Sequence, residues 1–275
     1  MADPKPSDIT EQAFDNYRMD VQYDGQDYYG WQRHKDNPTI QGALENAVTE
    51  CFELRHNVEG SGRTDRGTHA VGQVATVRLP KNIDEKETLE RLNSYLKQTI
   101  RITEIQKVSK EFHARESAIG KQYNYKIWNH PDLPPDMDGQ VWYIPEKLDF
   151  NAIQSVCSLF TGEMDYASFA KVPNYKRATS IRTVHAFDLT REGSLLCFSI
   201  IADGFLYKMV RNIIRAIVKV GEGRTKKNDL IKIIASKSRK AAPGTAPASG
   251  LYLDSVFYDQ ESLNAAIKNI AGRNK

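Results

Sequence analysis

From Tyr17 the segment YRMDVQYD alternates polar and apolar side chains, the period of a strand with one face buried. Asp24-Gly25 supplies a turn, and an aromatic cluster follows: Tyr28, Tyr29 and Trp31. The rhythm changes after Pro38 and Thr39, where Ile40, Leu44, Val48 and Cys51 recur at helical spacing and predict a helix over residues 40–54. Residues 71–79 return to extended structure, with Val71, Ala75, Val77 and Leu79 on one side, and Asp84 is placed to cap a second helix ending near Lys97. The cleanest alternation lies at residues 121–128: Tyr123, Tyr125 and Ile127 share one face, Gln122, Asn124 and Lys126 the other. NHPDLPPDMDG, residues 129–139, reads as a loop or insertion. Asp149 then caps a helix carrying Ile153, Val156, Cys157 and Phe160 that closes near Gly162.

Two further strands, 179–190 and 195–202, lead to LYKMVRNIIRAIVKV. There Leu206, Met209, Val210, Ile213, Ile214 and Ile217 form an apolar stripe, and Lys208, Arg211, Arg215 and Lys219 lie opposite. Thr225 opens another helix, LYLDSVFY is a last strand, and a short helix follows. Strands and helices in this order predict an α+β fold of two α/β halves, 1–114 and 115–275, with largely antiparallel sheets and helices packed on one side. MDVQYDGQDYYGW and FSIIADGFLYKMV share one order, a strand, then Asp-Gly, then an aromatic-bearing segment before a helix, which fits two related halves.

Composition narrows the chemistry. Apolar residues are 40% of the chain and charged residues 27%, the profile of a globular protein. The opening MADPKPSDIT has neither a basic flank nor an apolar block, and no run approaches a membrane span, so a cytoplasmic protein is expected. Cys51, Cys157 and Cys197 are odd in number and far apart, which argues against a disulfide framework, and the six histidines include no HExxH pair, which argues against zinc. Net charge is only +3, yet residues 171–240 hold 16 Lys plus Arg against 5 Asp plus Glu, a footprint for a polyanion.

One loop carries the candidate chemistry. GSGRTDRGTHA, residues 60–70, sets Asp65 between Arg63 and Arg66 and brackets them with Gly62 and Gly67. Alone, this is compatible with an aspartate bonding its own backbone in a glycine-rich turn. It does not stand alone. YDGQDYYGWQR (23–33), TIQGALE (39–45), GRTDRGTHAVGQV (62–74), FHARESA (112–118), KQYNYKI (121–127), GEMDYASF (162–169), DGFLYKMVRNI (203–213), VGEGR (220–224) and APASGLYL (246–253) follow one another in order. Together they resemble the successive motifs of the tRNA pseudouridine synthase A family, over nearly all of the chain from Met19 to Tyr258. Thr68 stands where that family usually has valine, Gln26 where it has threonine, and Lys121 where arginine is common.

The resemblance implies an isomerase that detaches uracil from ribose at N1, turns it, and reattaches it through C5, acting on uridines of the tRNA anticodon arm (positions 38 to 40 of the tRNA). Such an isomerisation needs no cofactor and no metal. Glycosidic cleavage calls for an ionised carboxylate near the sugar, and by resemblance this is Asp65, either adding to C1′ or removing the C2′ proton. A carboxylate enclosed with its substrate tends to protonate, and a guanidinium opposes that; the resemblance assigns this part to Arg211. Tyr123 matches the family's base-stacking tyrosine, although Tyr125 shares its strand face. Leu251 would pack against the base from another side, and Lys121 belongs to the same set. Arg63 would hold the target nucleotide outside the helix, and Arg66 is left to phosphate or solvent. RNA contacts are expected from Lys171, Lys176 and Arg177 in a loop and from Lys208, Arg215 and Arg224 near a cleft between the halves. The family's two subunits both contact one tRNA, which implies a homodimer. The rival expectations are an RNA-binding protein that keeps the fold without catalysing anything and, within the enzyme class, a pseudouridine synthase that acts on other tRNA sites or other RNAs.

Overall fold

The computed structural model describes residues 14–53, 55–171 and 179–272. Its N-terminal strand, β1 (Phe14–Tyr23), buries every second side chain, and α1 (Ile40–Phe52) follows with Thr39 as its cap, the hydroxyl accepting the Gly42 N–H at 3.2 Å. The helix stops two residues short of the expected end, because Glu53 turns left-handed. After β2 (Glu59–Gly60) come β3 (His69–Pro80), α2 (Glu85–Ser94) and β4 (Ile100–Val108). Asp84 caps α2 as expected, accepting the Glu87 N–H at 2.8 Å, but the helix ends at Ser94. On β3, Ala75, Val77 and Leu79 are buried, whereas Val71 is 47% exposed, at the point where the register against β1 shifts between Val21 and Tyr23.

The second half begins with β5 (Gly120–Trp128) and continues through β6 (Trp142–Tyr143), α3 (Phe150–Cys157), β7 (Gly162–Asp165), β8 (Ile181–Glu192) and β9 (Leu195–Ala202). It closes with α4 (Met209–Gly221), α5 (Lys227–Ser236), β10 (Leu251–Phe257) and α6 (Gln260–Gly272). Thr225 lies one residue ahead of the α5 cap position, which is Lys226, and its N–H bonds the Lys219 carbonyl at the end of α4 (3.1 Å).

Among the described residues the strands form one mixed sheet in the order β4-β1-β3-β10-β5-β9-β8-β7, with β2 beside β3 and β6 beside β5. Pairing is antiparallel except at β3–β10 and β5–β6. Strand β10 therefore lies between the strands of the first half and those of the second. Most helices pack on one face, where α4 buries Met209, Ile213, Ile214 and Ile217 in the same core as Met19, Leu44 and Phe198. Each such side chain contributes roughly 1.5–3 kcal/mol of apolar burial. One helix departs from this one-sided layer: α6 sets Leu263 and Ile270 against Ala186, Ile201 and Phe257, and Ile201 points away from Phe198 and Ile200 on the opposite face of β9.

Candidate active site

The loop between β2 and β3 is held from below. Ser61 Oγ donates to Gln73 Oε1 (2.7 Å), and Gln73 Nε2 donates to the Gly62 carbonyl (3.0 Å). Tyr23 Oη shares a hydrogen bond with Thr64 Oγ1 (2.9 Å). Ser61 and Gln73 are fully buried, so this small polar network is satisfied in the interior and fixes the start of the loop. From the side, the aromatic stretch after β1 clamps it: the Trp31 N–H donates to the Thr64 carbonyl (3.1 Å) and the Gly67 N–H to the Tyr28 carbonyl (3.2 Å). Two glycines permit the approach. A Cβ on Gly30, whose φ is +87°, would lie 2.4 Å from the Thr64 carbonyl oxygen, and one on Gly25 would lie 2.0 Å from that of Thr68.

Asp65 projects from this braced loop into a cavity of about 950 Å³, large enough for a nucleotide. Its carboxylate is ion-paired with Arg211 Nη1, and the two side chains are only 17% and 13% exposed. Arg211 sits in the first turn of α4. Its Nε donates to the Ala246 carbonyl (2.8 Å), and the Ala246 N–H returns a bond to the Arg211 carbonyl (3.2 Å). The guanidinium is thus aimed from two sides.

Tyr123 lines the same cavity, its ring meeting the edge of Phe205 with centroids 4.9 Å apart. Burial, then the nearby Tyr23 and Asp65, raises its phenol above the ordinary value, so it is neutral. Tyr125 has a different position. It is fully buried, donates to the Pro247 carbonyl (2.8 Å), and does not line the cavity. Leu251 lines the cavity from β10, next to β5 in the sheet.

Cations ring the opening. Arg63, Lys121, Lys171 and Lys208 all line it. Lys121 Nζ donates to the Ser61 carbonyl (2.7 Å), and burial, with Arg115 adding to it, pulls this ammonium down to about 8. Lys208 caps α4 in a left-handed conformation, φ +63°, uncommon for a residue with a Cβ and found at a site rim. Arg66 turns aside, its guanidinium 4.2 Å from the Tyr29 ring centroid, a cation–π contact outside the cavity. Arg215 does not reach the cavity either: it pairs with Glu222 (3.2 Å), which also takes Lys219 (2.7 Å) and Arg224 (3.1 Å). Burial would raise the Glu222 carboxyl, but these three cations outweigh it and hold it low. Lys176 and Arg177 lie outside the described residues.

Among the cavity residues that the reading of the sequence did not assign to the site, three carry aromatic or charged side chains. Phe205 and Tyr207 belong to DGFLYKMVRNI, and Arg115 to FHARESA. Both stretches are visible as motifs, but nothing in their spacing says which side chains face a ligand. The same holds for the 129–139 segment, whose end is locked in place: Gln26 Nε2 donates to the Asp138 carbonyl (2.9 Å), Gln140 Nε2 to Asp24 (2.7 Å), and Tyr252 Oη to the Gln140 carbonyl (2.7 Å). Among the described residues no group of His, Cys, Asp and Glu has metal-binding geometry, and no helix is long and apolar enough to cross a membrane.

Known proteins share this chain's sequence at length. A family model described as tRNA pseudouridine synthase matches residues 19–115 and 156–259. The tRNA pseudouridine synthase A of Methylacidiphilum infernorum is 41% identical over 248 residues, covering 90% of this chain and 97% of that protein. The protein of the same name from Bacillus sp. strain KSM-64 is 38% identical, covering 88% and 99%. Among solved structures, an archaeal box H/ACA sRNP Nop10–Cbf5 complex aligns with 81% of this chain and 58% of its own, at a TM-score of 0.33 and 15% identity, too low to bear on function. Matched along most of its length and nearly all of its relatives' length, the chain belongs to the tRNA pseudouridine synthase family.

Proposed function

We propose that this protein is a tRNA pseudouridine synthase that isomerises uridine in the anticodon arm, with Asp65 as the carboxylate acting on the ribose of a flipped nucleotide. The single observation behind this is the ion pair of Asp65 and Arg211 inside a nucleotide-sized cavity that Tyr123 also lines. A carboxylate ion-paired with a guanidinium and set in a cavity beside a sugar fits the needs of N1–C1′ cleavage. In the net reaction the uracil N1–C1′ bond breaks, a C5–C1′ bond forms, the C5 proton leaves to water, and N1 takes a proton. Tyr123, neutral and packed on Phe205, supplies a face on which the detached base can turn, and Leu251 bounds it. Arg63, Lys171 and Lys208 meet the RNA backbone. The halves 1–114 and 115–275 contribute the carboxylate and its partners respectively, and the reading extends to a cytoplasmic homodimer that grips one tRNA with both copies.

The test uses tRNA tritiated at uracil C5. Wild-type protein should release the label to water, and Asp65→Asn should not. Equal release by both, or tRNA binding with every uridine unchanged in the wild-type reaction, rejects the enzyme reading.

A further inference from the structure

His69, the first residue of β3, is buried and stands four residues after Asp65, yet it does not line the cavity. Strands β3 and β10, which connect the two sets of strands, are in register at only two positions, His69 with Tyr252 and Ala70 with Leu253. Asp65 lies on the β3 side of this seam, whereas Arg211, Tyr123 and Leu251 lie on α4, β5 and β10. The carboxylate therefore meets its partners across a short junction, and side chains that cross the junction bear directly on the geometry of the ion pair.

The His69 ring crosses it. It stacks on Tyr252 at the register position itself, with centroids 4.6 Å apart and planes 19° apart. Its Nδ1 accepts the Gly25 N–H (3.2 Å) in the turn after β1, and its Nε2 donates to the Gly139 carbonyl (3.1 Å) in the segment before β6. These partners decide where the proton is: a backbone N–H only donates and a carbonyl only accepts, so the arrangement needs a neutral ring protonated on Nε2. The Gly139 carbonyl is itself held, since Gln26 bonds the neighbouring Asp138 carbonyl and Gln140 bonds Asp24.

We infer that His69 is a positioning residue: in its neutral, Nε2-protonated form it latches the Asp65 loop to the other side of the seam and so sets the carboxylate against Arg211 and Tyr123. The inference rests on the synthase reading and adds to it a group that acts from outside the cavity. Protonation releases the latch. Asp24 Oδ1, 3.2 Å from Nδ1, takes the added proton's hydrogen bond, and the Gly25 N–H loses its acceptor. Burial lowers His69 below the ordinary histidine value; Asp24 and the Gly139 and Ser249 carbonyls oppose this, and Lys126, with Nζ 4.1 Å from the Tyr252 ring centroid, adds to the lowering. Tyr252, raised by burial, is neutral. With its charged form disfavoured, the ring is neutral at pH 7 and takes its proton only as the pH falls below about 6.5.

Turnover of a tRNA transcript tritiated at uracil C5 tests this with wild type and His69→Gln. The variant should lower kcat roughly tenfold or more while KM stays within about threefold of wild type. Wild-type kcat should fall through a single-proton step on the acid side, and that step should be missing from His69→Gln. Nitrogen-15 NMR of the wild-type imidazole should show the Nε2-protonated tautomer at pH 7 and a titration that follows the same step. A wild type that releases tritium but loses no kcat on His69→Gln, or a variant that keeps the acid step, overturns the latch alone, as does an Nδ1-protonated tautomer. Should His69→Gln fail to fold, the wild-type ring spectrum and Gln26→Ala decide. That exposed side chain ties down the segment bearing Gly139, and its loss should lower kcat about threefold, with an unchanged kcat overturning the latch. A wild type without tritium release would instead reject the synthase reading, whatever the tautomer.

Discussion

Thr68 is 1% exposed and its hydroxyl finds no hydrogen-bond partner, although its backbone N–H closes the loop between β2 and β3 by donating to the Asp65 carbonyl at 3.1 Å. A buried hydroxyl left unpaired costs about 1–3 kcal/mol relative to a satisfied one. Thr68→Val, which restores the residue usual in the family, should therefore stabilise the protein by about 1 kcal/mol. Differential scanning calorimetry should register this as a Tm higher by a few degrees. A lower Tm would mean that the hydroxyl is satisfied after all. The same scale shows what the sequence could and could not reveal. Tyr123 and Tyr125 alternate onto one face of β5, so periodicity leaves them equivalent, and only the third dimension separates them. Gly250 allows the 246–250 segment to settle on the Tyr125 ring, since a Cβ there would come within 2.8 Å of it. That covers Tyr125 and leaves Tyr123 to the cavity.

Element by element, regular alternation made β1 and β5 legible, and caps made α1, α2 and α3 legible. Strand β4 was not, for a physical reason: its register against β1 shifts between Asp20 and Val21, so its buried isoleucines fall at 100, 102 and 105 and break the period of two. The basic face of α4 was visible, but its environment was not. Arg211 and Lys219 are only 13% and 18% exposed, because the chain after α5 folds back over one and Glu222 gathers the other. Arg239 organises that returning segment, donating to the carbonyls of Ala242 (3.1 Å) and Pro243 (2.9 Å) and to Oδ1 of the buried Asn212 (3.2 Å). Thr245 adds a bond to the same Asn212 oxygen (2.7 Å), and Ala246 then receives Arg211. Arg239→Met should loosen the Ala246 carbonyl and misplace the Arg211–Asp65 pair, lowering kcat on the order of ten- to a hundredfold with KM little changed. Single-turnover tritium release checks this, and a KM effect without a kcat effect would move Arg239 out of the positioning role.

Across the whole molecule, ionisable groups are buried mainly as phenols. Burial raises Tyr23 to about 12, and it raises Tyr123, Tyr125, Tyr166, Tyr252 and Tyr258 as well. In the unfolded chain these ionise near pH 10, so the stability they confer is complete below that pH and drains away as pH climbs toward their folded values. Lys121 acts in the opposite sense. Its ammonium is disfavoured in the fold, a penalty present in full below about pH 8 and relieved toward its usual value near 10.5. Urea midpoints should accordingly hold or rise slightly between pH 8 and 10 and fall steeply above it. Phenolate absorbance should appear together with unfolding; a large phenolate signal from a still-folded protein would contradict the burial of these rings.

Strand β10, late in the sequence, is wedged between β3 and β5 and carries Leu251 to the cavity. The two walls it joins are translated long before it. A chain that stops before β10 lacks the strand that pairs with both β3 and β5, and with it the direct sheet connection between the acidic loop and the tyrosine. Truncation ahead of Leu251 should therefore abolish tritium release, because the cavity loses both that side chain and the strand that carries it.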